Sequence, residues 1–221
     1  MFKKYWKFFV IFWSVVLVGI IGVFVFFWLI SAGKLGFMPT FEELENPNNR
    51  FASEVYFADG PIMNRYFEKE NRKYIEYREI PQSVIDALIA TEDVRFYDHS
   101  GVDVRGLFRV AKGLLTANTS AGGGSTISQQ LAKMLFPRES DLNVFELAIR
   151  KFREWVIAVR LEKSYTKEEI LTMYLNKYDF LNLAVGISSA ADIYFQVPLD
   201  SLKVEQAAML DGVAKNSSFF N

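Results

Sequence analysis

The feature that most constrains this chain is an unbroken apolar run near its N-terminus, FFVIFWSVVLVGIIGVFVFFWLI, which carries no charged residue from Phe8 to Ile30. At ~1.5 Å per residue, a helix of that length crosses a hydrocarbon core of roughly 30 Å. A buried core helix rarely stays apolar on every face for so long. A cleaved signal peptide is the other alternative, with Ser31-Ala32-Gly33 as a loose cleavage site, but its apolar region is ordinarily shorter. The run is therefore read as a transmembrane helix over 8–30, behind a tail over 1–7. Lys3, Lys4 and Lys7 precede it and only Lys34 follows closely, so the positive-inside rule puts the tail in the cytoplasm and everything after Lys34 outside. Trp6, Trp13 and Trp28 suit the membrane interfaces.

The rest of the 221-residue chain has room for one medium-sized globular domain. A net charge of −1 gives no basic excess of the kind a nucleic-acid partner requires. Without cysteine there are no disulfides, thiolate metal sites or cysteine nucleophiles, and with His99 the only histidine there is no multi-histidine metal centre. Residues 31–52 read as a linker, broken by Pro39, Pro47 and an Asn cluster. Val55–Phe57 and Ile62–Phe67 flank Asp59-Gly60 as a hairpin-like strand pair, and an extended stretch around Tyr74–Tyr77 is expected to join it.

From Pro81 the pattern turns helical. Pro81 suits a first helical position, ahead of Val84, Ile85, Leu88 and Ile89. Asp103 is placed to cap a helix bearing Val104, Leu107, Val110, Ala111 and Leu114. Thr126/Gln129 and Thr166/Glu169 read as capping boxes. Between them Phe145, Ala148, Phe152, Trp155 and Val159 form an apolar stripe, and further helices are expected near Ile187–Phe195 and Leu202–Val213. The fold class is mainly α with a small β element, preceded by one transmembrane helix.

Three segments carry candidate chemistry. In Glu92-Asp93-Val-Arg-Phe96-Tyr-Asp-His99-Ser-Gly101 an apolar helix runs into a turn, and a carboxylate partly desolvated there gains basicity. The same residues also read as solvated helix-end charges and a turn histidine. In Gly122-Gly-Gly124-Ser125-Thr126-Ile-Ser-Gln129-Gln130-Leu-Ala-Lys133, glycines lead into a capped helix whose backbone N–H groups are suited to an anion, with Lys133 adding a cation. The spacing is not that of a P-loop, and a flexible connector is the rival reading. In Arg150-Lys151-Phe-Arg153-Glu154, Arg150 and Glu154 share a helix face, as they would on any solvated face with i,i+4 ion pairs.

In this order the segments closely resemble the peptidoglycan glycosyltransferases of glycosyltransferase family 51, which include the N-terminal halves of class A penicillin-binding proteins. Glu92, Asp93, Phe96, His99 and Gly101 match the first motif of that family, and Gly123–Lys133 the second, with Ser128 in place of Thr. Arg150, Lys151 and Glu154 match the third, and Ile170–Asn176 the fourth, with Thr172 where Glu is usual. Leu202, Glu205, Ala208 and Leu210 match the fifth, so the resemblance spans residues 53–221. Two departures stand out. Asp179–Leu183 lacks the usual glycines, which predicts a different backbone course there, and Glu146 stands where many relatives carry Arg, with Arg138 as the candidate substitute. The Ser53–Gly60 hairpin with Glu70-Asn71-Arg72 is similar to class A proteins, which implies a transpeptidase domain truncated from this chain.

The resemblance implies a lysozyme-like helical domain on the outer side of a bacterial cytoplasmic membrane. It would polymerise lipid II into β-1,4-linked glycan with release of undecaprenyl pyrophosphate. Glu92 would be the general base and Glu154 would orient the acceptor or a cation. Lys133, Arg109 and Arg153 would stabilise the leaving anion. Ser125, Gln129 and Gln130 would bind sugar or phosphate, with Gly124, Thr126, Arg150 and Lys151 completing the substrate site alongside Phe96. Asp93 and His99 would brace the loop holding Glu92. The pyrophosphate would suit a divalent metal such as Mg or Mn, bound mostly through substrate oxygens, and no other cofactor is implied. The implied partners are lipid II, the growing strand, membrane lipid and other cell-wall synthesis proteins, with no nucleic acid. A wall hydrolase with two carboxylates and a catalytically dead membrane scaffold are the rival functions. The cations around a glycine-led helix favour the polymerase over the hydrolase.

Overall fold

The computed structural model describes residues 2–40, 53–56, 62–66, 73–116, 123–136 and 143–215. The Asp59-Gly60 turn, Glu70–Arg72, Gly122, Arg138 and the last six residues lie outside them. Helix α1 (Phe2–Ser31) comes first, followed by an antiparallel pair, β1 (Ser53–Tyr56) and β2 (Ile62–Tyr66). Among the described residues seven α-helices follow: α2 (Gln82–Glu92), α3 (Val104–Leu115), α4 (Ile127–Leu135), α5 (Val144–Ser164), α6 (Lys167–Lys177), α7 (Ile187–Phe195) and α8 (Val204–Lys215). The architecture is the expected one, mainly α with a small β element after an apolar N-terminal helix.

Tyr5–Ser31 of α1 is long and apolar enough to cross a membrane, with mean hydropathy 2.8. The helix closes on Gly33 at φ +70: its N–H bonds Ile30 O while the N–H of Lys34 reaches back to Leu29 O, the left-handed ending that glycine permits without a Cβ penalty. Arg160 of α5 caps the same end, donating to Ser31 O at 2.8 Å, to Ser31 Oγ at 2.7 Å and to Pro39 O at 3.0 Å. A cation beside the last carbonyls of a helix complements its dipole.

The core joins Val84, Ile85 and Leu88 of α2 to Ile127 and Leu131 of α4, Ile157 and Leu161 of α5, and Ile170, Leu171 and Tyr174 of α6. Ala207 and Leu210 of α8 close it over α2. Several local expectations are corrected. Tyr74–Tyr77 does not join the sheet. Asn176 instead pins the backbone of Ile75, accepting its N–H at 2.9 Å and donating to its carbonyl at 2.8 Å, so a side-chain amide replaces a neighbouring strand. Pro81 is the N-cap of α2 rather than its first residue, because its ψ of 139° is extended. Thr126 caps α4, but Gln129 donates to Gly101 O instead of returning to the cap, so only half of that box forms. The Thr166/Glu169 box forms in full, and so does a box the sequence reading passed over, Asn143/Glu146 at the start of α5. Glu146 thus has a structural use at the position where relatives carry Arg.

The α5 stripe faces elsewhere than expected. Arg153, Ile157, Ala158 and Leu161 are the buried residues of α5, while Phe152 packs edge-on against Phe26 and Phe27 of α1, and Phe145 is 71% exposed. A long apolar helix running alongside draws aromatic residues to itself, and periodicity alone does not distinguish that partner from the core. On α3 the expected stripe is shallow: Gly106 is buried, Leu107 and Val110 are half-buried beside Gly124, and Val104 and Phe108 are exposed.

Candidate active site

Glu92 is the last residue of α2, where the 3-10 turn Phe96–Asp98 leads the chain away. Its Oε2 accepts from Gln130 Nε2 at 2.6 Å, and its Oε1 is buried with no hydrogen-bond partner. Gln130 is in turn held by Tyr174 Oη, which donates to its Oε1 at 3.1 Å. The amide is thereby oriented with its donor on the carboxylate. Burial, with Glu92 nearby, holds the Tyr174 hydroxyl far above its usual range, so it remains a donor.

Beside this pair opens a cavity of about 330 Å³ lined by Ser125, Gln129, Gln130, Lys133, Met134, Lys151, Glu154 and Tyr178. Lys151 Nζ bridges two walls, donating to Ser125 Oγ at 2.8 Å and to Glu154 Oε2 at 3.0 Å. Lys133 is an exposed cation on the α4 wall. Glu154 is the one carboxylate in the lining and is engaged by Lys151. Among the described residues no group of three or more His, Asp or Glu side chains is placed to hold a metal ion.

The start of α4 is used differently from the expectation. The N–H of Ile127 donates to Asp93 Oδ2 at 3.1 Å and that of Gln129 to Thr126 Oγ1 at 3.2 Å. The helix N-terminus therefore already holds a carboxylate, Asp93, and cationic side chains rather than backbone amides face the cavity. Asp93 also pairs with His99 Nε2 at 3.0 Å, while His99 Nδ1 accepts from the N–H of Gly101 at 3.3 Å. Gly101 O receives both Thr126 Oγ1 at 2.7 Å and Gln129 Nε2 at 3.2 Å. Asp93, His99, Gly101 and Thr126 thus form a buried brace between the Glu92 turn and α4, not a cavity wall.

Other expected site residues lie apart from the cavity. Phe96 is fully buried in the core beneath Lys167 Nζ, 4.2 Å from its ring centre. Arg153 is buried with its guanidinium against Gly36, where a Cβ would lie 2.2 Å from Nη1. It fills the junction between the α1 connector and α5. Arg109 is exposed on α3 and reaches Gly123 O at 3.3 Å, Gly124 packs against Val110, and Arg150 is half-buried outside the cavity lining. The sequence reading missed Tyr178, Met134 and the orienting bond from Tyr174. Tyr174 and Tyr178 are four residues apart and stack with ring centres 5.4 Å apart, a spacing visible in the sequence.

The Asp179–Leu183 loop borders the cavity through Tyr178. Leu181, Asn182 and Leu183 all adopt positive φ (69°, 49° and 68°), the left-handed conformation that glycine would take most easily. Asp179 Oδ1 accepts the Leu181 N–H at 2.8 Å, Tyr194 Oη donates to Phe180 O at 2.6 Å, and Asn182 Nδ2 donates to Tyr194 Oη at 3.0 Å, so local bonds offset the strain.

A family model described as transglycosylase matches residues 59–221 of the chain. Penicillin-binding protein 1A of Escherichia coli (strain K12) is 38% identical over 184 residues, which cover 83% of this chain and 21% of that protein. The protein of the same name from Pseudomonas aeruginosa is 37% identical over 184 residues, covering 83% and 22%, and that of Neisseria lactamica 36% over the same spans. The chain thus spans about a fifth of the length of these relatives. With the helical domain, the Glu92 turn and the glycine-led α4 in one continuous match, the chain belongs to the transglycosylase family.

Proposed function

We propose that this chain is a membrane-anchored peptidoglycan glycosyltransferase acting on lipid II outside a bacterial cytoplasmic membrane. The observation that carries the reading is the Glu92 carboxylate, oriented by Gln130 beside a cavity whose walls present Lys133 and Lys151. In the transfer, Glu92 takes the proton of the acceptor 4-hydroxyl while that oxygen bonds to the anomeric carbon of the lipid-linked donor. The bond from that carbon to the pyrophosphate breaks, and undecaprenyl pyrophosphate leaves with the electron pair, giving an inverted, β-1,4-linked product. Negative charge grows on the pyrophosphate as it departs, and Lys133 and Lys151 are the lining cations suited to stabilise it. Helix α1 would span the membrane with its N-terminus in the cytoplasm, keeping the cavity near the polyprenyl tails of donor and acceptor. Residues 53–221 would form the catalytic domain, and a cavity cation set of this kind suits an anionic leaving group better than hydrolysis of a neutral glycosidic bond.

The test is polymerisation of fluorescent lipid II by detergent-solubilised protein, resolved on a gel. Wild type is expected to give a ladder of glycan strands, and Glu92→Gln none, at an unchanged unfolding temperature. A full ladder from folded Glu92→Gln would remove Glu92 as the base. Cleavage of preformed glycan without lipid II consumption would indicate a hydrolase, and lipid II binding without turnover by wild type a scaffold.

A further inference from the structure

Asp211 is a buried acid that the reaction above does not use. It lies on α8 with no accessible surface, and both of its carboxylate oxygens are without a hydrogen-bond partner. Helix α8 packs against α2, the helix that ends on Glu92, and Glu92 Oε1 is likewise buried and unpartnered. Among the described residues, the titratable groups coupled to Asp211 are Glu92 from α2 and Tyr174 from α6, and neither is a cation. Tyr174 already donates its proton to Gln130, so it does not serve Asp211. A fully buried, unpartnered carboxyl that feels the charge of a second carboxylate resists ionisation, since like charges and desolvation act in the same direction. Glu92 has a donor in Gln130 and Asp211 has none, so the single charge belongs on Glu92. Burial, together with the charge of Glu92, pushes the Asp211 carboxyl up to about 8.

We propose that Asp211 is a positioning residue for the transfer reaction: it stays protonated behind α2 so that Glu92 is the only charged carboxylate of the pair, and its ionisation at alkaline pH disables the site. This rests on the reading of Glu92 as the base. An ionised Asp211 would place a second, unpartnered anion in the α2–α8 contact, either displacing Glu92 from Gln130 or parting the two helices.

The experiment compares wild type, Asp211→Asn and Asp211→Leu for polymerisation rate and unfolding temperature between pH 6 and pH 9, with Glu92→Gln included for unfolding. The Leu variant serves if a buried amide without partners prevents folding. One unit above its midpoint an acid retains about a tenth of its protons, so the wild-type rate is expected to fall about tenfold from pH 7 to pH 9. Either Asp211 variant is expected to fall less than about twofold over that range. A group whose folded value lies above its unfolded value stabilises less as pH rises through the interval. The wild-type unfolding temperature should therefore fall from pH 6 to pH 9, remain level in the Asp211 variants, and fall less in Glu92→Gln, where the neighbouring charge is gone. A wild-type alkaline fall in both Asp211 variants, or a pH-dependence of unfolding in Glu92→Gln equal to wild type, would overturn the proposal. The unfolding series does not depend on turnover, so an active Glu92→Gln enzyme would refute the base and leave the coupling of the two acids to be judged separately.

Discussion

Gly101 adopts φ +94°, and a Cβ there would lie 2.8 Å from the backbone of Ala158 and from Val159 N. Its carbonyl receives the side chains of Thr126 and Gln129, and its N–H donates to His99 Nδ1. Gly101→Ala combines a left-handed penalty with a backbone clash, and is expected to cost about 2–5 kcal/mol, read as a lowered midpoint in chemical denaturation. The sequence singled out Gly101 as part of a motif but offered no sign of the α5 backbone above it, because that contact joins segments far apart in the chain. The same limit applies to Arg153, whose neighbours in sequence place it on a charged face while its guanidinium fills the junction beneath Gly36. The family resemblance, not the residue types alone, singled out Glu92, Gln130, Lys133 and Lys151, and the fold brings them to the cavity or its edge. Asp211 was not legible, since one acid in the α8 pattern reads as solvated until the packing of α2 against it is known.

Helices were read well where their ends announce themselves. The Thr166/Glu169 box and the limits of α7 came out as expected, whereas Asn143/Glu146 was overlooked because Glu146 was considered only as a missing Arg. The faces of helices were read less well, since a hydrophobic period states that a partner exists but not which one. Helix α5 divides its apolar residues between the core and α1, and only the fold assigns them. The Asp179–Leu183 loop shows a different case, three consecutive non-glycine residues in the left-handed conformation that suits glycine best. Leu183 is 63% exposed at φ +68°, so Leu183→Gly removes strain while giving up little burial. It is expected to raise stability by up to about 1 kcal/mol, measured by thermal unfolding, with the entropy of the added glycine as the opposing contribution. A lowered stability would mean that the exposed Leu183 side chain contributes more than its backbone costs.

Across the whole molecule, the junction of α1 with the helical domain is made of specific contacts rather than a loose connector. Phe26 and Phe27 meet Phe152, Ile30 is fully buried, and Arg160 holds both the end of α1 and the carbonyl of Pro39. Arg160→Ala removes hydrogen bonds from a charged donor to buried acceptors, each worth about 1.5–3 kcal/mol. The expected result is faster amide hydrogen exchange over residues 31–39 with the core of α2, α4 and α6 unchanged, and equal exchange in both proteins would contradict this view of the junction. One consequence concerns direction. With α1 in a bilayer, a helix locked to its domain acts as a shaft: its height fixes how far the cavity stands above the lipid, and its spin fixes where the cavity points. One residue added within α1 would lift the domain by ~1.5 Å and swing the cavity by about 100°, so the compass bearing of the active site is written into the length of the anchor.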